Sequence, residues 1–230
     1  MPTLLNISVY EVIREIILWG LPVSIIGLRL WSKRKRMRAL KTVEPLGIAS
    51  ANEGEWVRVT GTAVRHHDQL TAPASLRSCL AYKLRVSADS NDFSLMGGAA
   101  TPNIHESDVV AFRVRNETGE ALVEAVIPEF HLVEDHEGST GSLKEIPEPL
   151  KRFFVDHRVD YTKNFPFFEG VLLEGQRVSV WGKASWETNT DMEGVTETAY
   201  RSQPRCLVIR GDNAKGVVIS NRGSLTTSGG

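Results

Sequence analysis

The densest run of side chains able to do chemistry is Arg65-His66-His67-Asp68. Imidazole and carboxylate are metal-ligand types, but a tetrahedral site needs four placed donors. Adjacent histidines on a strand point to opposite faces and cannot easily share an ion, whereas in a loop they can. The reading favoured here is a surface or hydrogen-bonded histidine pair. His131, Asp135 and His136 sit in a polar stretch that reads as a solvated loop. Cys79 and Cys206 are the only cysteines. Both lie in apolar surroundings, which suits inert buried thiols; a nucleophilic cysteine needs a base and an electropositive setting. Trp181 and Trp186 straddle an expected strand end and could offer a stacking surface, although aromatics dominate core burial. No G-x-S-x-G, H-E-x-x-H, Walker loop or G-x-G-x-x-G occurs. The expectation is therefore no catalytic residue, no metal and no cofactor.

The elements that would carry any site divide by charge. The 230 residues are 41% hydrophobic and 24% charged, which is ordinary globular composition. Two cysteines are too few for a disulfide scaffold or a RING. Residues 1–44 hold eight basic and three acidic side chains, a net +5. That leaves 19 basic and 25 acidic side chains, a net −6, to the other 186 residues. A cationic arm on a mildly acidic body argues for two parts with different surroundings, and against nucleic acid as the partner.

The arm opens on an apolar segment. Ile16 to Leu28 carries no charge, and Val12 to Trp31 gives twenty residues interrupted by Arg14, Glu15 and Arg29. As a helix it would run roughly 30 Å, about one hydrocarbon thickness. A spanning helix, an amphipathic surface helix and a buried core helix all meet this pattern, and length favours the span. Lys33, Arg34, Lys35, Arg36 and Arg38 follow at once, with Trp31 where an interfacial aromatic would sit. The positive-inside rule keeps that flank, and everything after it, in the cytoplasm. The same cluster would attract anionic lipid headgroups.

From residue 55 the apolar period becomes two. Trp56 to Gly61, Cys79 to Val86, 176–184, 195–201, 206–210 and 217–220 read as strands, with Leu80, Tyr82, Leu84 and Val86 on one side of theirs. Val109 to Arg115 and Ala121 to Ile127 flank Asn116-Glu117-Thr118-Gly119 as a hairpin. Residues 88–107 read as a loop, and Pro147 to His157 as a short helix with Leu150, Phe153 and Phe154 in one stripe. The fold class expected is all-β, a barrel or sandwich open to an OB-like, duplicated arrangement, with that helix and an N-terminal transmembrane helix. The domains are an anchor with its basic segment at 1–44, a β-domain at 45–222 and a flexible tail at 223–230. The duplication rests on E-G-x-x-V-x-V-x-G-x-A, which occurs at Glu53 to Ala63 and again at Glu174 to Ala184. Each copy has a glycine where a bulge could bend the strand. The same pattern is also a common opening of a β-hairpin.

Leu70-Thr71-Ala72-Pro73-Ala74-Ser75, followed by Cys79-Leu80-Ala81-Tyr82-Lys83-Leu84-Arg85-Val86, resembles the L-x-A-P-x-S…C-x-A-Y-x-L-x-V signature of the GIDE domain. This is also called the beside-a-membrane domain, of mitochondrial E3 ubiquitin ligases and their prokaryotic relatives. Phe112 to Val123 resembles that family's F-x-V-x-D-x-T-G-x-A-x-V hairpin, with Asn116 in place of the aspartate. Glu169 with Leu172 to Gly182, and Val217 to Ser220, resemble its later segments. The resemblance covers roughly residues 50–222. It implies a domain held against a membrane. It does not carry over ligase activity, because the relatives' RING and second membrane helix have no counterpart here.

Two classes of function follow. One is a membrane-anchored, non-catalytic β-domain that recognises a membrane-associated protein or ligand at the cytoplasmic face. The alternative is a component of an E3 ubiquitin ligase-like system acting with a separate catalytic subunit. The contact element expected for a protein partner is the long segment Ser87 to Asp108, which carries Phe93, Leu95 and Met96 in a polar setting. The same three residues could instead cover a barrel end.

Overall fold

Alternating valines on strands of unequal length close on themselves here instead of stacking as two sheets. A computed structural model describes residues 42–87, 104–142, 144–160, 162, 164–188, 205–212 and 215–223. All but Thr42 belong to the unit Val43–Gly230. Its strands and helix are β1 (Trp56–Arg65), β2 (Leu70–Thr71), β3 (Ser78–Cys79), β4 (Ala81–Val86), β5 (Ile104–Val109), β6 (Phe112–Asn116), β7 (Gly119–Glu124), β8 (Glu129–His131), β9 (Glu134–Ser139), α1 (Glu148–Asp156), β10 (Pro166–Leu172), β11 (Arg177–Thr188), β12 (Arg205–Arg210) and β13 (Val218–Ser220).

Strands β1, β6, β7, β12 and β11 are bonded in that order, and β11 returns to β1. The result is a closed five-stranded barrel. Its neighbours run antiparallel except β7 and β12, which are parallel. Inward positions alternate as a period of two requires. Val57, Val59, Phe112, Val114, Val123, Val178, Val180, Leu207 and Ile209 fill the interior. Each such side chain contributes about 1.5–3 kcal/mol by leaving water. Strands β13 and β8 extend the sheet from β11.

The two repeat copies are β1 and β11, and they pair with each other around Val59↔Val180. Their contacts come in matched pairs. Gly54 N donates to Ala184 O and Gly175 N to Ala63 O, each at 2.8 Å. Ala63 N donates to Gln176 O and Ala184 N to Glu55 O, again at 2.8 Å. Glu53 accepts from Trp186 N at 2.6 Å, and Glu174 accepts from Arg65 N at 3.4 Å. Gly54 and Gly175 have φ of 78° and 83°, the left-handed region that both turns use and that favours glycine. The expected bulge at the repeat glycines is absent, since the β1–β11 register runs unbroken. Gly61 and Gly182 serve close approach instead. A Cβ on Gly61 would lie 2.3 Å from Arg115 O, and one on Gly182 would lie 2.5 Å from Ile209 Cγ2.

The second sheet has the order β5-β4-β10-β9. Helix α1 supplies Leu150, Phe153 and Phe154 to its core, where they meet Tyr82, Leu84, Val86 and Phe167. The helix runs as the sequence indicates, with Pro147 at its N-cap. Leu80 does not share a face with Tyr82: it falls between β3 and β4 and enters the barrel core, donating N–H to Leu172 O at 2.8 Å. Residues 104–107 are strand, not loop, because β4 supplies a ladder that polar side chains do not prevent. Likewise 131 and 134–136 are strand, held by β13 and β10. The segment 195–201, the rest of the 88–107 loop and the expected membrane helix lie outside the described residues.

Candidate functional site

The residues expected to do chemistry are satisfied structurally. Strand β1 ends at Arg65, so His66 and His67 escape strand alternation and their rings lie 3.8 Å apart. Arg113 Nε donates to His66 Nδ1 at 3.2 Å. Among the described residues no group of three or more potential ligands could hold a metal. Cys79 is buried, and burial pushes its thiol up to about 11, which leaves it protonated and inert at neutral pH. Cys206 is only half-buried, which corrects the expectation of two buried thiols. His131 lies near Glu129, and His136 packs on Phe167. Trp181 and Trp186 stand within the twelve-residue β11, not across a strand end. Trp181 packs against Trp56 at a tilt of 40° with ring centres 4.5 Å apart, and Trp186 Nε1 donates to Ala51 O at 2.8 Å.

The family-like motif residues also explain themselves. Glu169 is fully buried on β10, and its carboxylate accepts from Ala74 N at 2.8 Å and Ser75 N at 3.0 Å. The Ala72-Pro73-Ala74-Ser75 turn thus caps a buried carboxyl group with two backbone N–H donors. Arg77 extends the lock with a bidentate pair to Asp135, both bonds 2.7 Å, which holds that carboxyl below its usual range. Tyr82 donates to Glu106 at 2.7 Å; burial first, and then that carboxylate, raise the phenol's pKa.

Phe93, Leu95 and Met96 lie outside the described residues, as do Trp31, Lys33, Arg34, Lys35, Arg36 and Arg38.

One recess among the described residues lies on the outer face of the barrel. A cleft of about 620 Å³ is lined by Pro45 to Gly47, Thr60 to Thr62, Arg115 to Thr118 and Arg177. Three strands build its base. Thr62 of β1 faces Arg115 of β6 on one side and Arg177 of β11 on the other. Beyond Arg115, across the hairpin, stands Glu120 of β7, which accepts from Arg115 Nε. The base is therefore a cross-strand row, Glu120–Arg115–Thr62–Arg177. Its wall is fixed by the β6–β7 turn. Asn116 Nδ2 donates to Thr60 O at 3.1 Å, Thr118 Oγ1 donates to Asn116 Oδ1 at 2.7 Å, and Ile48 N donates to Thr118 Oγ1 at 2.6 Å. Close approach at Gly61 brings β1 and β6 together beneath the row.

None of these row residues stood out in the sequence. A usable signal lay among the five positions at which the two repeat copies differ, three of which bear on the row: Trp56 against Arg177, Thr60 against Trp181 and Thr62 against Lys183. Comparison with known proteins returns no matching family model, no matching curated protein and no matching solved structure.

Proposed function

We propose that this chain is a membrane-tethered, non-catalytic recognition module, with the GIDE-like β-domain at the cytoplasmic face and the barrel cleft as its binding site. One observation carries the reading. The cleft is formed in part by Pro45 to Gly47, the stretch of chain that follows the basic run. Six residues separate Arg38 from Pro45, and the seven Cα-to-Cα steps reach at most about 25 Å. A tether at the arm would hold the cleft within that reach of the headgroup layer and raise its effective concentration for anything in the layer. Taken in chain order, the barrel strands neighbour one another as 1-2-3-5-4, with one parallel contact between the third and fifth. That is the OB arrangement, a scaffold used for binding by its face and loops. The matched contacts of β1 and β11 support reading it as an internal duplication.

Fractionation tests the tether. Full-length protein is expected to stay with membranes through an alkaline carbonate wash, and a chain starting at Val43 to be soluble. A C-terminal reporter should report the cytoplasm. Release by carbonate would replace the span with a surface helix, and an extracytoplasmic reporter would reverse the orientation.

A further inference from the structure

Two arginines facing one threonine across adjacent strands is an unusual way to line a recess. Like charges on one sheet face repel, and a row of this kind would ordinarily interpose an acid. Here the interposed side chain is the Thr62 hydroxyl. Arg115 and Arg177 stand on the strands to either side of it, with Cα atoms roughly 10 Å apart by ordinary strand spacing. Guanidinium groups on side chains of that length can converge on one group between them. Around the row, Arg113, Arg115 and Arg177 stand against Glu117 and Glu120, one positive charge in excess.

The matching row in the other repeat shows what a closed version looks like. There the residues are Glu124–Arg210–Lys183–Trp56. Arg210 is gripped by two acids, and Glu187 first and then Glu124 raise its pKa well above the ordinary value. Trp56 is covered by Trp181 and by Lys215, whose Nζ lies 5.2 Å from its ring centre. Those aromatic rings stand at the positions that Arg177 and Thr60 hold in the open row.

We infer that the cleft takes a phosphate-bearing ligand, gripped between Arg115 and Arg177 with the Thr62 hydroxyl as a further donor. Planar guanidinium forks match phosphate oxygens, and a tetrahedral phosphate has enough acceptors for both forks and a hydroxyl. The cleft volume falls in the range of small-ligand pockets, so it admits more than a bare ion. The phosphate can belong to a bilayer headgroup or to a soluble molecule. This inference rests on the cleft being the recognition site proposed above.

The full chain in nanodiscs provides the test, read by amide hydrogen exchange at 60–62, 115–118 and 177. One arm uses phosphatidylcholine discs containing phosphatidic acid. The other uses pure phosphatidylcholine discs with added inorganic pyrophosphate. Bound probe at ten times its dissociation constant should slow exchange at these amides by about tenfold. Arg115→Ala and Arg177→Ala should each abolish that protection while leaving the thermal midpoint and the exchange of Ala74 and Ser75 unchanged. Protection in the first arm alone assigns a headgroup; protection by pyrophosphate supports the phosphate chemistry with a soluble source. Protection in neither arm, or protection that survives both substitutions, overturns the inference. The carbonate wash reads the tether separately. A retained chain without protection sinks the ligand alone, and protection by pyrophosphate on a released chain sinks the tether alone.

Discussion

The two halves of the barrel share a backbone plan and differ in what stands on it. Around the Val59↔Val180 pair, turns, ladder bonds and close-approach glycines recur in matching places. Both arginines of the second strands, Arg115 and Arg210, pair with a glutamate of β7. The outward side chains then diverge. One half sets two tryptophans, a lysine and a doubly bridged arginine on its face, and the other sets two threonines and two arginines in a cleft. Backbone symmetry is thus compatible with one face being sealed and the other open. Three of the five positions at which the copies differ, 56/177, 60/181 and 62/183, carry this contrast, and none of them points into the barrel core.

The largest test removes the seal. Trp181 is 7% exposed, so Trp181→Ala should cost about 3–5 kcal/mol in urea denaturation. The equivalent Thr60→Ala, which deletes a hydroxyl bonded to Ser179 at 3.1 Å, should cost about 1 kcal/mol. Equal costs would mean that the tryptophan does not pack as a core residue and that the halves are not divided as described. By contrast, Trp181→Phe should be nearly neutral. The indole Nε1 is buried without a hydrogen-bond partner among the described residues, and phenylalanine removes that uncompensated donor.

A smaller difference separates the two glycines. Gly61→Ala pushes a methyl into the Arg115 carbonyl, which is backbone and cannot rotate away. Gly182→Ala meets first the Ile209 Cγ2 methyl, a side-chain atom. The first should lose about 3 kcal/mol and the second about 1 kcal/mol, in line with overpacked interiors. The reverse order, measured by urea midpoint, would contradict the closer β1–β6 approach.

The smallest effect is a pH slope. Glu53 is held below the ordinary carboxyl value of 4.5, first by the Trp186 N–H and then by the Ser185 hydroxyl. A depressed folded-state value contributes stability that is present above the unfolded value and lost as pH falls through the folded one. Thermal midpoints of Glu53→Gln should therefore decline less steeply below pH 4.5 than those of the unsubstituted protein. The mirror-related Glu174→Gln, with its longer 3.4 Å contact, should lower the midpoint at neutral pH by less than Glu53→Gln does. Parallel acid limbs for the Glu53 variant would remove Glu53 from the turn's stabilising contacts.

Much of this barrel was readable because its information is local. The 112–124 hairpin announces itself by alternating valines around Asn116 to Gly119, and the helix by Pro147 and an apolar stripe. The repeat was visible as a pattern, but its meaning, that one copy pairs with the other, was not. Strands β5 and β9 were missed because His105, Glu106, Asp108, Glu134 and Asp135 give no apolar period; their neighbours supply the ladder. The cleft was invisible for a sharper reason. Arg115, Thr62 and Arg177 share a row only in this register, and a slip of one residue would turn a side chain to the other face. Register across such sequence distances is a property of the folded barrel, whereas Glu169 could be picked out beforehand only as part of a motif.

The pairing of β1 with β11 also sets a timetable for synthesis. Val57 cannot meet Gly182 until the ribosome has delivered β11, about 120 residues later. At roughly 5–20 residues per second that is some 6–24 s during which one edge of the nascent β1 has no lasting partner. The intervening chain holds β4, β5, β9 and β10 with α1, and these can assemble into their own sheet before the barrel closes. Closure is then the final, non-local event, and a translational pause or a nick between β7 and β11 would leave a half-barrel with its valine face bare.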